Sequence, residues 1–246
     1  MSKQAIAVLK SARMQKIRCT PRAGIIDNRA MRCRVKICCI SSLDEAALAV
    51  RHGASALGLV SAMPSGPGVI GEEAIATIAA AVPPGVDSFL LTSLQDPEAI
   101  VEQHGRCRTT TIQLCDALPA GAHRRLRAAL PGVRLVQVVH VTGDDALDEA
   151  RAAADAVDAV LLDSGQPSLT VKQLGGTGRV HDWAVSRRIR DAIKKPLYLA
   201  GGLHEGNVAE ALRRVDPFGL DLCSSVRANG ALDADRLARF MRAVAS

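Results

Sequence analysis

From residue 34 onward the chain alternates between two kinds of stretch. Short aliphatic runs of four to eight residues give way to longer, Ala-rich runs with amphipathic spacing. The short runs predict eight strands, at residues 34–40, 55–60, 87–92, 110–114, 134–141, 159–163, 197–200 and 219–223. The long runs predict eight helices, at residues 43–52, 72–81, 97–104, 120–129, 145–153, 183–194, 206–214 and 234–245. Several helices open on a capping residue or an early acid, such as Ser42 with Glu45, or Asp96 before Pro97. Strands alternating with helices imply βαβ units on a parallel sheet. Eight units within about 210 residues favour an α/β fold closed as a (β/α)8 TIM barrel over an open doubly wound sheet. No GxGxxG follows the first strand. The expected division is an N-terminal extension over residues 1–33 and a barrel over 34–246.

Two loops stand out. Residues 164–181 carry Gly165, Gly175, Gly176 and Gly178, and residues 61–71 are rich in Pro and Gly. Both follow strands, so both fall on the barrel's C-terminal face, where this fold places its chemistry. Loops of that length in a compact domain are usually functional or mobile.

Composition and charge then narrow the picture. Aromatics are 2% of residues, so the core must be built from Ala, Val, Leu and Ile. The net charge of +6 comes from one segment, since residues 1–34 hold nine Lys or Arg and one acid, Asp27. The rest of the chain is slightly acidic and has no basic face with interleaved aromatics, which speaks against nucleic-acid binding. The extension lacks a signal-peptide core. A disordered tail, or translation starting at Met31, is preferred to an organellar transit peptide. Seven cysteines without a CxxC pair fit a reduced, cytoplasmic protein. No run of about 18 apolar residues exists to cross a membrane. The six histidines are scattered with no HExxH, so no metal is expected.

Candidate chemistry sits at strand ends. Cys38, in RVKICCI, ends the first strand, and alternation sends Cys38 and Cys39 to opposite faces. A thiol at the barrel mouth near Lys36 suits a general base; the competing reading is a small core residue. Asp163, in AVLLDS, sits at the tip of the sixth strand, where a carboxyl suits general acid–base work or a loop cap. Asp221, in the eighth strand, reads as structural. AGGLHEGNV follows strand seven and DLCSSV follows strand eight. Those two turns form the phosphate site of many barrels, which marks Gly201, Gly202, Ser224 and Ser225. A small phosphorylated substrate is the expected ligand, with ordinary tight turns as the alternative.

Several of these segments together resemble the phosphoribosylanthranilate isomerase family. KICCI is similar to that family's KICGI, LLDS with GGTGRVHDW to its LLD and GGTGxxFDW, AGGLHEGNV to its GGLxxxNV, and DLCSSV to its DVSSGV. The likeness runs from residue 33 to 246. It implies an aldose–ketose isomerase of tryptophan biosynthesis, an intramolecular oxidoreductase without a cofactor. The reaction implied is the Amadori rearrangement of N-(5-phosphoribosyl)anthranilate to 1-(2-carboxyphenylamino)-1-deoxyribulose 5-phosphate. Asp163 matches the acid that opens the furanose and Cys38 the base that takes the C2 proton. Gly201, Gly202, Ser224 and Ser225 match the phosphate turns, while Gly176, Gly178 and Arg179 match the substrate loop. The family pattern PKSxRxI, with its Arg, reads SAMPSGPGVI here, so Pro67 stands at the Arg position. QLHG reads QLCD, placing Asp116 where it would repel an anion, and Cys39 and Ser225 replace glycines. Two other readings stay open: a divergent isomerase of another phosphorylated sugar derivative, and a non-catalytic phosphosugar-binding barrel. A monomer or homodimer is expected.

Overall fold

The computed structural model describes residues 33–166, 168–174 and 178–246. Apart from Cys33, the extension lies outside the described residues, as does Gly176.

Eight parallel strands close into a barrel: β1 (Arg34–Ile37), β2 (Ala56–Val60), β3 (Asp87–Thr92), β4 (Thr111–Leu114), β5 (Arg134–His140), β6 (Ala159–Asp163), β7 (Leu197–Leu199) and β8 (Gly219–Leu222). Their order in the barrel is their order in sequence, and β1 pairs with β8 to close it. The helices are α1 (Leu43–Arg51), α2 (Glu72–Ala81), α3 (Pro97–Cys107), α4 (Ala122–Ala129), α5 (Ala146–Ala154), α6 (Trp183–Ala192), α7 (Val208–Val215) and α8 (Ala234–Ala245). Each predicted strand and helix is present, with ends displaced by a few residues. A 3-10 turn (Ser224–Val226) and a short antiparallel hairpin, β9 (Arg227–Ala228) with β10 (Ala231–Leu232), precede α8. Neither was expected.

Local rules explain the helix starts. Ser42 accepts a hydrogen bond from Glu45 N, and the Glu45 carboxylate reaches back to Ser41 N (3.0 Å), a reciprocal cap. The carboxylates of Asp96, Asp182 and Asp233 accept from first-turn N–H groups of α3, α6 and α8.

Two apolar layers follow from strand alternation. Outward residues such as Ile37, Leu57, Leu90 and Leu162 pack against the helices. Inward residues such as Ala56, Phe89, Val138, Leu161 and Tyr198 fill the barrel. Lys36 joins them, fully buried, with its ammonium 2.9 Å from Asp221 and 5.3 Å from the Phe89 ring centroid. Burial disfavours that ammonium, but the Asp221 carboxylate and nearby thiols reverse the effect and raise its pKa. No helix among the described residues is long and apolar enough to cross a membrane.

Candidate active site

One cavity opens at the C-terminal ends of the strands, and it gathers most of the sequence candidates. Its lining includes Cys38, Asp163, Gly178, Gly201, Gly202 and Ser224. Asp221 lines it too, so its expected structural role is only half the account: its Oδ2 holds Lys36 while its other oxygen is buried without a partner.

Cys38 faces inward. A Cβ added to Gly58 would meet Cys38 Sγ at 2.9 Å and Lys36 Nζ at 3.0 Å, so thiol and ammonium share the space that Gly58 leaves empty. The expectation that Cys38 and Cys39 turn to opposite faces fails. Strand β1 ends at Ile37, and Cys39 has a left-handed backbone (φ 62°), so alternation has lapsed and its side chain lines the same cavity. A glycine takes that conformation without strain, which accounts for the glycine of the KICGI pattern. Cys39 packs tightly against Gly68 and lies 3.6 Å from Pro67 O. Arg227 braces the strand end from behind, bonding the carbonyls of Cys38 and Cys39 and the carboxylate of Glu45 (2.9 Å).

The thiols differ in character. Burial pushes Cys115 up to about 12. Contacts with the Cys223 and Cys38 thiols, and burial, push Cys39 up as well. Cys223 is pulled down, chiefly by the Cys39 thiol beside it.

Asp163 ends β6 pointing inward, its Oδ1 accepting from Ser164 N (2.7 Å). Burial pushes its pKa up, and the Asp221 carboxylate adds to that against Ser164 N–H, His140 and Lys36. His140 is its register partner on β5. The Nε2–H of His140 donates to Cys115 O (3.1 Å), leaving Nδ1 buried without a partner.

The phosphate-type turns lie across the mouth from β3 and β4. Gly201 (φ 83°) and Gly202 (φ 62°) are left-handed, and the backbone of Arg179 and Val180 packs onto them. A Cβ on Gly202 would fall 2.8 Å from Val180 N. Ser225 does not reach the cavity lining; its hydroxyl is buried and unpartnered. The side chain of Arg179 is likewise absent from that lining.

Asp116 does not present a bare charge. Lys172, from the loop after β6, forms an ion pair with it, and Ser65 of the β2 loop donates to Lys172 O (2.7 Å). The earlier expectation of repulsion therefore fails. Lys172, His140 and the Cys39–Cys223 contact escaped the sequence reading. Only His140 carried a usable signal, a polar residue at a strand's C-terminal tip. Among the described residues no cluster of His, Cys, Asp or Glu could hold a metal.

A family profile described as N-(5'phosphoribosyl)anthranilate (PRA) isomerase matches residues 35–243. An N-(5'-phosphoribosyl)anthranilate isomerase of Halobacterium salinarum is 38% identical over 196 residues, covering 79% of this chain and 87% of that one. The solved phosphoribosyl anthranilate isomerase of Thermotoga maritima superposes with a TM-score of 0.74 at 29% identity, over 86% of this chain and 98% of that one. Another, in complex with reduced 1-(o-carboxyphenylamino)-1-deoxyribulose 5-phosphate, gives a TM-score of 0.72 at 27% identity, with the same coverage. Nearly the full length of the barrel is shared, and the chain belongs to the phosphoribosylanthranilate isomerase family.

Proposed function

We propose that this barrel catalyses the Amadori rearrangement of N-(5-phosphoribosyl)anthranilate, a step of tryptophan biosynthesis, in the cytoplasm and as a monomer or homodimer. The observation that carries the reading is the meeting of Cys38 and Asp163 in one cavity with the Gly201–Gly202 turn and Ser224. Asp163, whose pKa is raised by burial, gives its proton to the ring oxygen as the C1–O bond breaks, leaving a C1=N iminium. Cys38 as thiolate takes the proton from C2, and the electron pair moves to form the enamine. Protonation at C1, with loss of the C2 hydroxyl proton, yields the ketone. Hydride and electron carriers are not needed, because oxidation at C2 balances reduction at C1. Backbone N–H groups at Gly201 and Gly202 and the Ser224 hydroxyl hold the phosphate, and the loop through Gly178 and Arg179 covers the sugar.

The test is turnover of freshly prepared phosphoribosylanthranilate, followed by loss of its fluorescence. Wild type should turn over, and Cys38→Ala and Asp163→Asn should each lose at least ~100-fold, the usual scale for a general acid or base. Cys223→Ser belongs beside them because that thiol is the one pulled down. Loss of activity in Cys223→Ser but not in Cys38→Ala would move the base from β1 to β8. A folded wild type without turnover would overturn the reading.

A further inference from the structure

The substrate proposed above is anionic at both ends, with a phosphate on the sugar and a carboxylate on the aglycone ring. The phosphate is assigned to the β7 and β8 turns, so the aglycone lies on the opposite side of the mouth, over the β2–β4 ends. A carboxylate entering that side needs a cation, and the β2 loop supplies none: residues 61–71 contain neither Lys nor Arg. Of the other cations, Arg179 was placed over the sugar, and two are committed elsewhere. Lys36 is sealed under the floor with Asp221, and Arg227 stands behind Cys39 with Glu45.

Lys172, itself outside the cavity lining, is held beside this side by three links from three loops. Ser65, which lines the cavity, holds its backbone carbonyl (2.7 Å). Gln166 and Gln173 pair as an antiparallel bridge, so the segment carrying Lys172 folds back as a small hairpin. Asp116, directly after the cavity residue Cys115, takes one proton of its ammonium. Asp116 is itself fixed, 7% exposed, with Oδ1 accepting from Ala117 N (2.9 Å) and its carbonyl accepting from Gln137 (3.0 Å). The Lys172 side chain is 39% exposed. An ammonium has three N–H donors, and Asp116 uses one.

Resting on the isomerase reading, we propose that Lys172 is the specificity-determining residue for the aglycone carboxylate, held in place by Asp116 until substrate arrives. Asp116 positions the ammonium and keeps the empty site neutral; the incoming carboxylate takes a free N–H. A charge-assisted contact of this kind is worth roughly 10- to 100-fold in affinity.

The experiment measures kcat and KM for phosphoribosylanthranilate, and Kd for the reduced product analogue and its counterpart lacking the ring carboxyl. Wild type, Lys172→Met, Lys172→Arg and Asp116→Asn are compared. Lys172→Met should raise KM roughly 10- to 100-fold with kcat within a few-fold, and should lose the preference for the carboxylated analogue. Lys172→Arg should recover part of that preference. Asp116→Asn removes the counter-charge but keeps the cation and an amide oxygen to accept from it, so it should retain the preference. Equal loss in Lys172→Met and Asp116→Asn would reduce the pair to a loop latch and overturn the assignment, as would an unchanged preference in Lys172→Met. Wild type that binds neither analogue and turns over nothing would instead overturn the isomerase reading, and this assignment with it.

Discussion

In the proposed mechanism Asp163 must hold a proton for an ether oxygen, and burial raises its pKa in that direction. Activity should therefore fall as pH rises through a pKa above the ordinary carboxylate range, and a kcat/KM–pH profile reads this directly. The same shift has a stability sign. Because the folded pKa is raised, the folded state binds the proton more tightly than the unfolded one. That contribution is full below the unfolded pKa and is lost as pH rises through the folded one. Asp163→Asn should then be inactive yet melt above wild type at pH 7, since its amide oxygen can still accept from Ser164 N. Gly202 makes a second case. With φ 62° and a would-be Cβ 2.8 Å from Val180 N, Gly202→Ala should cost about 1–2 kcal/mol in denaturant unfolding for the left-handed backbone alone. It should also raise KM by pushing residues 179–180 off the phosphate turn. Cys38 and Asp163 were legible because a polar residue closing an aliphatic run sits at a strand tip. Cys39 was not, because alternation presumes extended backbone and fails at the first left-handed residue.

At the scale of elements, strand–helix alternation was readable because each unit is long enough to show its period. The β9–β10 hairpin was not, since two-residue strands have no period to show. Nor could a sequence reveal that the β2, β4 and β6 loops tie together through Ser65, Lys172 and Asp116. The loop leading into α6 carries its own weakness. His181 is held at a pKa of about 4 by burial, with Asp182 opposing, while its Nε2 bonds Ser186 Oγ (2.8 Å). A histidine depressed from 6.5 stays neutral when folded but charges when unfolded. Stability should thus fall as pH drops from about 6.5 toward 4, by about 3 kcal/mol at most. Melting curves across that range should show the slope, and His181→Gln should flatten it.

At the scale of the whole molecule, one buried ion pair spans the β1–β8 ladder that closes the barrel. Lys36→Met would strand the Asp221 charge in the interior and should cost about 3–5 kcal/mol in urea unfolding. The double variant Lys36→Met with Asp221→Asn should recover most of it, because no unpaired charge is left behind. A double variant as unstable as the single one would mean that packing, rather than charge, holds the seam.

Lys36 and Asp221 stand 185 positions apart, so the ribosome makes one long before the other. Until β8 emerges, β1 has a single neighbour and the growing sheet keeps two unpaired edges, one of them the apolar run VKICCI. Synthesis proceeds for most of the gene with that edge open to other nascent chains. Slow or interrupted translation before β8 is added should therefore leave that edge open to pairing with other chains, and docking of the last strand removes it.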